Sequence, residues 1–214
     1  AEKNAFNYAA VDDLGICTTD DTYLTKHIEA VLALDLVNVA AIKSKNYKVA
    51  IDCVNSTGGI FLPALLKALG VTNIIELYCE PNGQFPHNPE PLPENLTEIS
   101  KQIKAQGADV GFVVDPDVDR LCMVCEDGEM FGEEYTLVAI ADYVLKHTKG
   151  NTVSNLSSTR ALRDVTEKNG GEYFAAAVGE VNVVNMMKTK IGIATIAFVL
   201  LAGVHFLSKD KSET

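Results

Sequence analysis

The stretch VGFVVDPDVDRLCMVC, residues 110–125, decides how this chain is interpreted. An apolar run of strand length stands at each end, and a short acidic loop joins the two runs. The loop places Asp115, Asp117 and Asp119 at alternate positions, directly before Arg120. Three carboxylates on one tight loop can face one point, which suits a Mg²⁺ ion that keeps other positions for phosphate or water. We therefore predict two strands flanking a magnesium loop, with Arg120 as a planar donor to a phosphate.

Two known protein families, the EF-hand proteins and the haloacid-dehalogenase-type phosphatases, contain similar acidic sequences. An EF-hand would place ligands at Asp115, Asp117, Asp119 and Glu126, and all four acids are present. However, an EF-hand needs glycine after the third aspartate, where this chain has Arg120, and it needs flanking helices rather than strands. We therefore exclude the EF-hand. A solvated acidic turn is disfavoured because such turns rarely connect two buried strands.

A haloacid-dehalogenase-type phosphatase stays open as the alternative. Its Asp-x-Asp motif follows a strand, and Asp115 would be the nucleophile with Asp117 as the second acid. Against this interpretation, the loop lies in mid-chain, and nothing clearly supplies the later lysine and paired aspartates of that family.

Composition and charge limit the class of partner. The 214 residues are 47% hydrophobic and 22% charged, which is typical of a globular protein with one large or two small domains. The net charge of −11, with no basic patch to offset it, argues against nucleic acid and against an anionic membrane surface. A phosphorylated ligand is not excluded, because it needs only a metal or a few local cations.

The cysteines and the amino terminus bear on the cellular compartment. Five scattered cysteines predict reduced thiols in a cytoplasmic protein, and Cys122 and Cys125 should point to opposite faces of one strand. The polar start of the chain is not a signal peptide. It lacks an initiator methionine, so we expect a piece of a longer protein.

The order of elements predicts the fold class. From about Lys48 the chain alternates strands and helices, which indicates an α/β fold. We predict a three-layer α/β/α mixed-sheet domain over residues 1–150. The same alternation restarts after Gly150, so residues 151–214 should form a partial second α/β domain of similar type.

Two local features need their own interpretation. Gly58 and Gly59 should form a tight strand-to-helix turn rather than a phosphate cradle, because no P-loop lysine follows. The helix after them should bury Ile60 on its apolar face. The uncharged run 191–207 should be a buried element, since it falls short of the ~20 residues of a membrane span.

Two segments together resemble one enzyme family. The proline-rich loop EPNGQFPHNPEPLPENL, residues 80–96, precedes the acidic loop by about twenty residues. The pair resembles the second domain of the α-D-phosphohexomutases, which include phosphomannomutase, phosphoglucomutase and phosphoglucosamine mutase. Their metal loop is usually written Asp-Gly-Asp-Gly-Asp-Arg, and Pro116 and Val118 stand here at the two glycine positions. The resemblance runs from about Tyr8 to Lys190.

The resemblance implies a set of site residues. The magnesium ligands would be Asp115, Asp117 and Asp119, and Arg120 would be a substrate-binding residue. The segment containing Gly179 and Glu180 resembles the third-domain loop that approaches the sugar. The turn Ser157-Ser158-Thr159-Arg160 matches the opening of that domain, without the lysine that some members have before Thr-Arg. His87, in the proline-rich loop, is expected to have a structural or surface role.

The resemblance also implies an activity and its partners. The family moves phosphate between the 1- and 6-positions of a hexose through a phosphoserine and a hexose bisphosphate. The resemblance therefore implies that the full-length parent protein is an isomerase. These 214 residues contain no Ser-His-Asn-Pro loop, so this chain alone would be inactive. Expected partners are a hexose phosphate and a hexose bisphosphate, with no nucleic acid and no membrane. A non-catalytic metal- or phosphosugar-binding module is the remaining alternative.

Overall fold

The computed structural model describes residues 6–190 and 192–193. The helices are α1 (Tyr23–Leu32), α2 (Val39–Lys45), α3 (Gly58–Ala68), α4 (Thr97–Gln106), α5 (Glu133–His147), α6 (Ala161–Lys168) and α7 (Glu180–Lys190). The strands are β1 (Lys48–Asp52), β2 (Asn73–Leu77), β3 (Val110–Val114), β4 (Leu121–Cys125), β5 (Asn151–Asn155), β6 (Tyr173–Ala176) and β7 (Gly192–Ile193).

The first four strands form one mixed sheet in the order β2-β1-β3-β4. Strand β1 pairs in parallel with β2 and β3, while β4 runs antiparallel to β3. The antiparallel pair follows from the acidic loop, because a six-residue connection is too short for a parallel crossover. The predicted mixed sheet is confirmed.

Helices cover both faces of this sheet. Alternate residues of β1 point to opposite sides, so Val49 and Ile51 pack with the leucines of α3, while Ala50 packs with α4. The α4 side of the core contains Leu96, Ile99 and Ile103. The sheet therefore lies between two helical layers, which confirms the predicted three-layer α/β/α fold.

The buried face of α3 differs from the prediction in one place. Ile60 is 53% exposed, whereas Leu62, Leu65 and Leu66 are buried. Gly59, at the start of the helix, closely approaches the backbone after β2 at Cys79, and the next residue, Ile60, points to solvent.

A second sheet in the order β6-β5-β7 follows, with β5 parallel to both neighbours. Helix α7 covers one face through Val183, which packs with Val153 of β5 and Ala176 of β6. Helix α6 is tied to β5 by a 2.6 Å hydrogen bond between the buried hydroxyls of Thr152 and Thr166. This arrangement agrees with a second α/β unit.

Helix α5 lies between the two sheets. Its Ile140 and Val144 pack against Leu121 of β4, and its Val138 and Ala141 pack against α6. The long helix therefore packs against elements of both units.

The predicted element in the apolar run 191–207 falls almost entirely outside the described residues. Within that run only the short strand β7 is described, and it extends the second sheet. No helix in the described part of the chain has the length and apolar character needed to cross a membrane.

The domain boundary near Gly150 stays a prediction. Residues 148–150 connect α5 to β5, and Lys149 in this connection and Lys146 in the last turn of α5 are exposed. We expect trypsin to make its first cut within residues 23–190 at one of these lysines, as mass spectrometry of a time course would show. A first cut inside the sheet that β1 to β4 form would contradict this division.

Candidate metal and phosphate site

The acidic loop lies at a topological switch point. The chain leaves β1 for β2 on one side and later reaches β3 on the other side, so the connections at the carboxyl ends of β1 and β3 diverge. In open α/β sheets the crevice outside such strand ends is the usual ligand site. Asp52 ends β1 and Asp115 follows β3, so both carboxylates lie at this edge.

The three aspartates predicted as ligands converge. One carboxylate oxygen from each of Asp115, Asp117 and Asp119 can be chosen so that all three lie within 4.8 Å of one another. Asp115 is 1% exposed, while the other two are exposed. Three hard oxygen donors with an open side match a cation of the magnesium type that keeps free positions.

Arg120 closes the loop against Asp115. Its backbone N–H donates to Oδ1 of Asp115 at 3.0 Å, and its Nε donates to Oδ2 at 2.9 Å. Nε also lies 3.7 Å from a carboxylate oxygen of Asp119. A second nitrogen of the guanidinium, Nη1, donates to Glu90 at 3.2 Å. The guanidinium therefore stays at the acidic loop, and Glu90 of the proline-rich loop is a partner that the sequence did not indicate.

These contacts shift the pKa values of the loop. Burial opposes ionisation of Asp115, but the two hydrogen bonds from Arg120, a hydrogen bond with Asp119 and the charge of Arg120 together lower the pKa of Asp115. The neighbouring Asp115 carboxylate raises the pKa of Asp119, and burial and the charge of Asp117 add to that increase. Hydrogen bonding to Asp115 raises the pKa of Arg120. A divalent cation would relieve the repulsion among the acids.

The backbone of the acidic loop is held by the connection after β1. The carbonyl oxygen of Pro116 accepts hydrogen bonds from the hydroxyls of Ser56 at 2.7 Å and Thr57 at 2.8 Å. Proline at 116 has no N–H to donate, but its carbonyl still fixes the loop. The turn is closed by a 3.1 Å bond from Val118 N–H to the Asp115 carbonyl oxygen.

Several residues at this edge have left-handed backbone conformations. Val118, at the second glycine position of the resembled motif, has φ of 63°, and Val54, Asn55 and Tyr78 have φ values of 46°, 53° and 52°. A β-branched residue rarely adopts positive φ, because its Cβ crowds the backbone. Such strain concentrates at functional sites, and here it lies beside the ends of β1, β2 and β3.

Sequence reasoning missed the partner of His87. Its Nε2 lies 3.1 Å from Oδ2 of Asp52, a carboxylate that is 1% exposed. Burial raises the pKa of Asp52, although a hydrogen bond from Val54 N–H and the nearby His87 oppose that shift. A charged residue at the end of an apolar strand was the available signal for Asp52, but nothing local pointed to a histidine 35 residues away.

The predicted residues of the second unit lie beside the second sheet, between β6 and α7. Gly179 has φ of 117°, and Glu180 is the exposed first residue of α7, just after β6. In the Ser157–Arg160 turn, the backbone N–H of Thr159 donates to the carboxylate of Glu134 at the start of α5. Gly179 and Glu180 therefore lie next to a different sheet from the acidic triad.

The geometry weighs against Asp115 as a phosphatase nucleophile. Its side chain is buried, and each of its oxygens already accepts a hydrogen bond from Arg120. A nucleophile needs an accessible atom beside an activating group. The arrangement favours a ligand and loop-closing role instead.

Two family profiles match nearly the whole described chain. Phosphoglucomutase/phosphomannomutase alpha/beta/alpha domain II matches residues 25–128, and domain III of the same family matches residues 132–200. The chain belongs to the phosphoglucomutase/phosphomannomutase family. This membership confirms the resemblance to the phosphohexomutases.

Related proteins carry several names within the family. A phosphoglucomutase/phosphomannomutase from Thermococcus kodakarensis is 33% identical over 83% of this chain and 39% of its own length. A probable phosphoglucosamine mutase from Methanopyrus kandleri is 29% identical over 82% of this chain and 38% of its own length. The chain thus spans less than half the length of these relatives.

Solved structures show the same fold. A phosphoglucomutase/phosphomannomutase family protein from Burkholderia thailandensis matches with a TM-score of 0.68 at 26% identity, over 79% of this chain and 42% of that one. A phosphomannomutase-like structure from Thermus thermophilus gives a TM-score of 0.71 at 20% identity, over 89% of this chain and 48% of that one.

The family profiles also bear on how α5 is assigned. The two profiles meet between residues 128 and 132, so α5 falls within domain III by that division. The predicted boundary near Gly150 assigns the same helix to the first domain. Its packing against elements of both units explains why the two divisions differ.

Proposed function

We propose that this chain is the metal-binding part of a hexose phosphate mutase, an isomerase that moves phosphate between the 1- and 6-positions of a sugar. One observation carries the proposal: three converging carboxylates and Arg120 lie at the switch point of a phosphohexomutase-family domain. The partners are a hexose phosphate and a hexose bisphosphate.

Asp115, Asp117 and Asp119 are the proposed ligands of one Mg²⁺ ion. Bound there, the ion would supply positive charge to stabilise a phosphoryl group. Asp115 also orients Arg120, because its two oxygens receive the backbone and side-chain donors of that residue. Among the described residues, Nη2 of Arg120 donates to no protein acceptor, so it is available to a phosphate oxygen.

Gly179 and Glu180 are the proposed sugar contacts. Gly179 has a backbone conformation that favours glycine, and it places exposed Glu180 at the first position of α7. A carboxylate beside an open helix start can accept hydrogen bonds from sugar hydroxyls. The preferred hexose is left open, because the related proteins are named for glucose, mannose and glucosamine phosphates. A cytoplasmic location stays part of the proposal.

A sugar-phosphate assay tests the assignment of activity. We expect these 214 residues to convert no glucose 1-phosphate to the 6-phosphate with Mg²⁺ and glucose 1,6-bisphosphate, because the sequence lacks the phosphoserine loop. We also expect no release of inorganic phosphate.

The outcomes separate the alternatives. Isomer formation by this chain would contradict the need for the serine loop. Phosphate release that Asp115→Asn abolishes would instead support the dehalogenase-type phosphatase. The full parent protein is the positive control, in which the substitution Asp117→Asn should lower kcat at least about tenfold, a loss of ~1.4 kcal/mol in transition-state stabilisation.

A further inference from the structure

The backbone of the proline-rich loop is hydrogen-bonded to Asn55, in the connection that follows β1. The N–H of Gly83 donates to the carbonyl oxygen of Asn55 at 3.0 Å, and Nδ2 of Asn55 donates to the carbonyl oxygen of Gln84 at 3.0 Å. These bonds fix the start of the loop over the same edge that carries the acidic loop.

A partly buried side-chain contact holds the middle of the loop in place. Both ring nitrogens of His87 face oxygens: Nδ1 lies 2.7 Å from the Asn88 carbonyl oxygen, and Nε2 lies 3.1 Å from Asp52. A carbonyl oxygen only accepts, so Nδ1 must carry a proton. The contact between Nε2 of His87 and the carboxyl group of Asp52 needs one further proton, which these two groups share.

The Asp52–His87 contact is shielded and oriented. Asp52 is 1% exposed and His87 is 16% exposed, and the second oxygen of Asp52 accepts from Val54 N–H at 3.0 Å. The ring of Tyr78 meets that of His87 edge to face, with 5.6 Å between ring centroids. Because the carboxylate has no freedom to follow a moving histidine, the contact fixes the position of the loop.

The far end of the loop reaches the site through Glu90. Its backbone N–H donates to the side chain of Asn88 at 3.2 Å, and its carbonyl oxygen accepts from the side chain of Asn95 at 2.9 Å. Its carboxylate then receives Nη1 of Arg120 at 3.2 Å, while Nε of Arg120 remains on Asp115. An isolated exposed ion pair contributes little because two flexible side chains must be ordered, but here the backbone of Glu90 is already fixed.

We propose that Asp52 and His87 are positioning residues, which act through Glu90 to hold the guanidinium of Arg120 beside the acidic triad with Nη2 directed to a phosphate oxygen. Two carboxylates bind two of the three nitrogens of the planar guanidinium, Nε and Nη1, so the third nitrogen, Nη2, acquires a defined direction. The benefit for phosphate binding rests on the function proposed above. The geometric link itself does not depend on that function.

A double-mutant cycle on this chain, without metal or ligand, tests the link. The readout is the hydrogen-exchange rate of the Arg120 side-chain Nε–H, measured by NMR. We expect Glu90→Ala and His87→Gln each to accelerate exchange at least about threefold, and the double variant to match the larger single effect, because both substitutions cut the same connection.

Matched controls address general loosening of the fold. Glu76→Ala removes a surface carboxylate paired with Lys67, and His147→Gln removes an exposed histidine whose ring contacts the backbone oxygen and the ring of Tyr143. Neither control should change exchange at Arg120. Glu90 is half exposed, so Glu90→Ala keeps the test valid even if His87→Gln proves unstable.

Two results would overturn the proposal. One is unchanged exchange at Arg120 in Glu90→Ala. The other is additive acceleration in the double variant, which would mean that His87 acts on the fold in general. A separate titration of the unsubstituted 214-residue chain with inorganic phosphate, followed at the Arg120 Nε–H signal, tests the proposed phosphate role. An absent response to phosphate would contradict that role even if the mutant cycle supports the link from His87 to Arg120.

Discussion

Gly59→Ala should destabilise the protein by about 3 kcal/mol or more, at the upper end of what overpacking costs. A Cβ at this position would lie 2.2 Å from the carbonyl oxygen of Cys79 and 2.6 Å from its carbonyl carbon. Backbone atoms cannot rotate away as a side chain can. The segment beside Cys79 is also held in place, because the carbonyl oxygen of Tyr78 accepts a 2.6 Å hydrogen bond from Asn55 N–H.

The gain in helix propensity does not offset this clash. Alanine is better than glycine inside a helix by about 1 kcal/mol. Denaturant unfolding should show the net loss, and the melting temperature should fall by about 6–12 °C. The matched control is Gly15→Ala, because a Cβ on Gly15 meets no atom within 4 Å. Equal stability of the two variants would contradict the tight approach of α3 to the end of β2.

Asp115→Asn and Asp117→Asn should both remove the magnesium response, but only the first should destabilise the chain. Asp115 is buried and holds Arg120 by two hydrogen bonds, so loss of its charge should cost about 2 kcal/mol, a common value for hydrogen bonds to charged groups. Asp117 is exposed, and its substitution should leave the free energy of unfolding within about 0.5 kcal/mol.

The metal response is measured by titrating Mg²⁺ while following the amide signals of residues 113–121. The amide signals of the unsubstituted 214-residue chain should shift by about 10 mM Mg²⁺, a concentration roughly tenfold above the weakest dissociation constants of protein calcium sites. Asp127→Asn is the control, because this acid lies in the turn after β4 and outside the triad. The absence of any signal shift in the unsubstituted chain, or an undiminished shift in Asp117→Asn, would rule out the proposed metal site.

Local sequence patterns predicted the secondary-structure elements well, and they also placed three acids together on one loop. The triad needed no tertiary information, because alternate positions on a six-residue loop bring Asp115, Asp117 and Asp119 together by chain connectivity alone. Strands β1, β3 and β4 were visible as short apolar runs, and Gly107 ended α4 in a left-handed conformation as its position predicts. Helices α1 and α2 lie before the alternating region and were not predicted.

The orientation of Arg120 depended on contacts distant in sequence. Glu90 is 30 residues from Arg120, and His87 is 35 residues from Asp52. Neither the hydrophobic periodicity nor the spacing of residues along the chain predicts such pairs. They exist because β1 and β3 are neighbours in the sheet while the proline-rich loop crosses their carboxyl ends.

The sequence by itself determined the α/β class, the order of most elements and the grouping of three acids on one loop, because hydrophobic alternation and short-loop geometry act over a few residues. Only the tertiary structure decided three things: the switch point between β1 and β3, the exposure of Ile60, and the burial of the Asp52–His87 contact. Each of these depends on which segments pack together. Packing is fixed by steric fit and burial across the whole domain, as at Gly59 against Cys79, and not by any local run of residues.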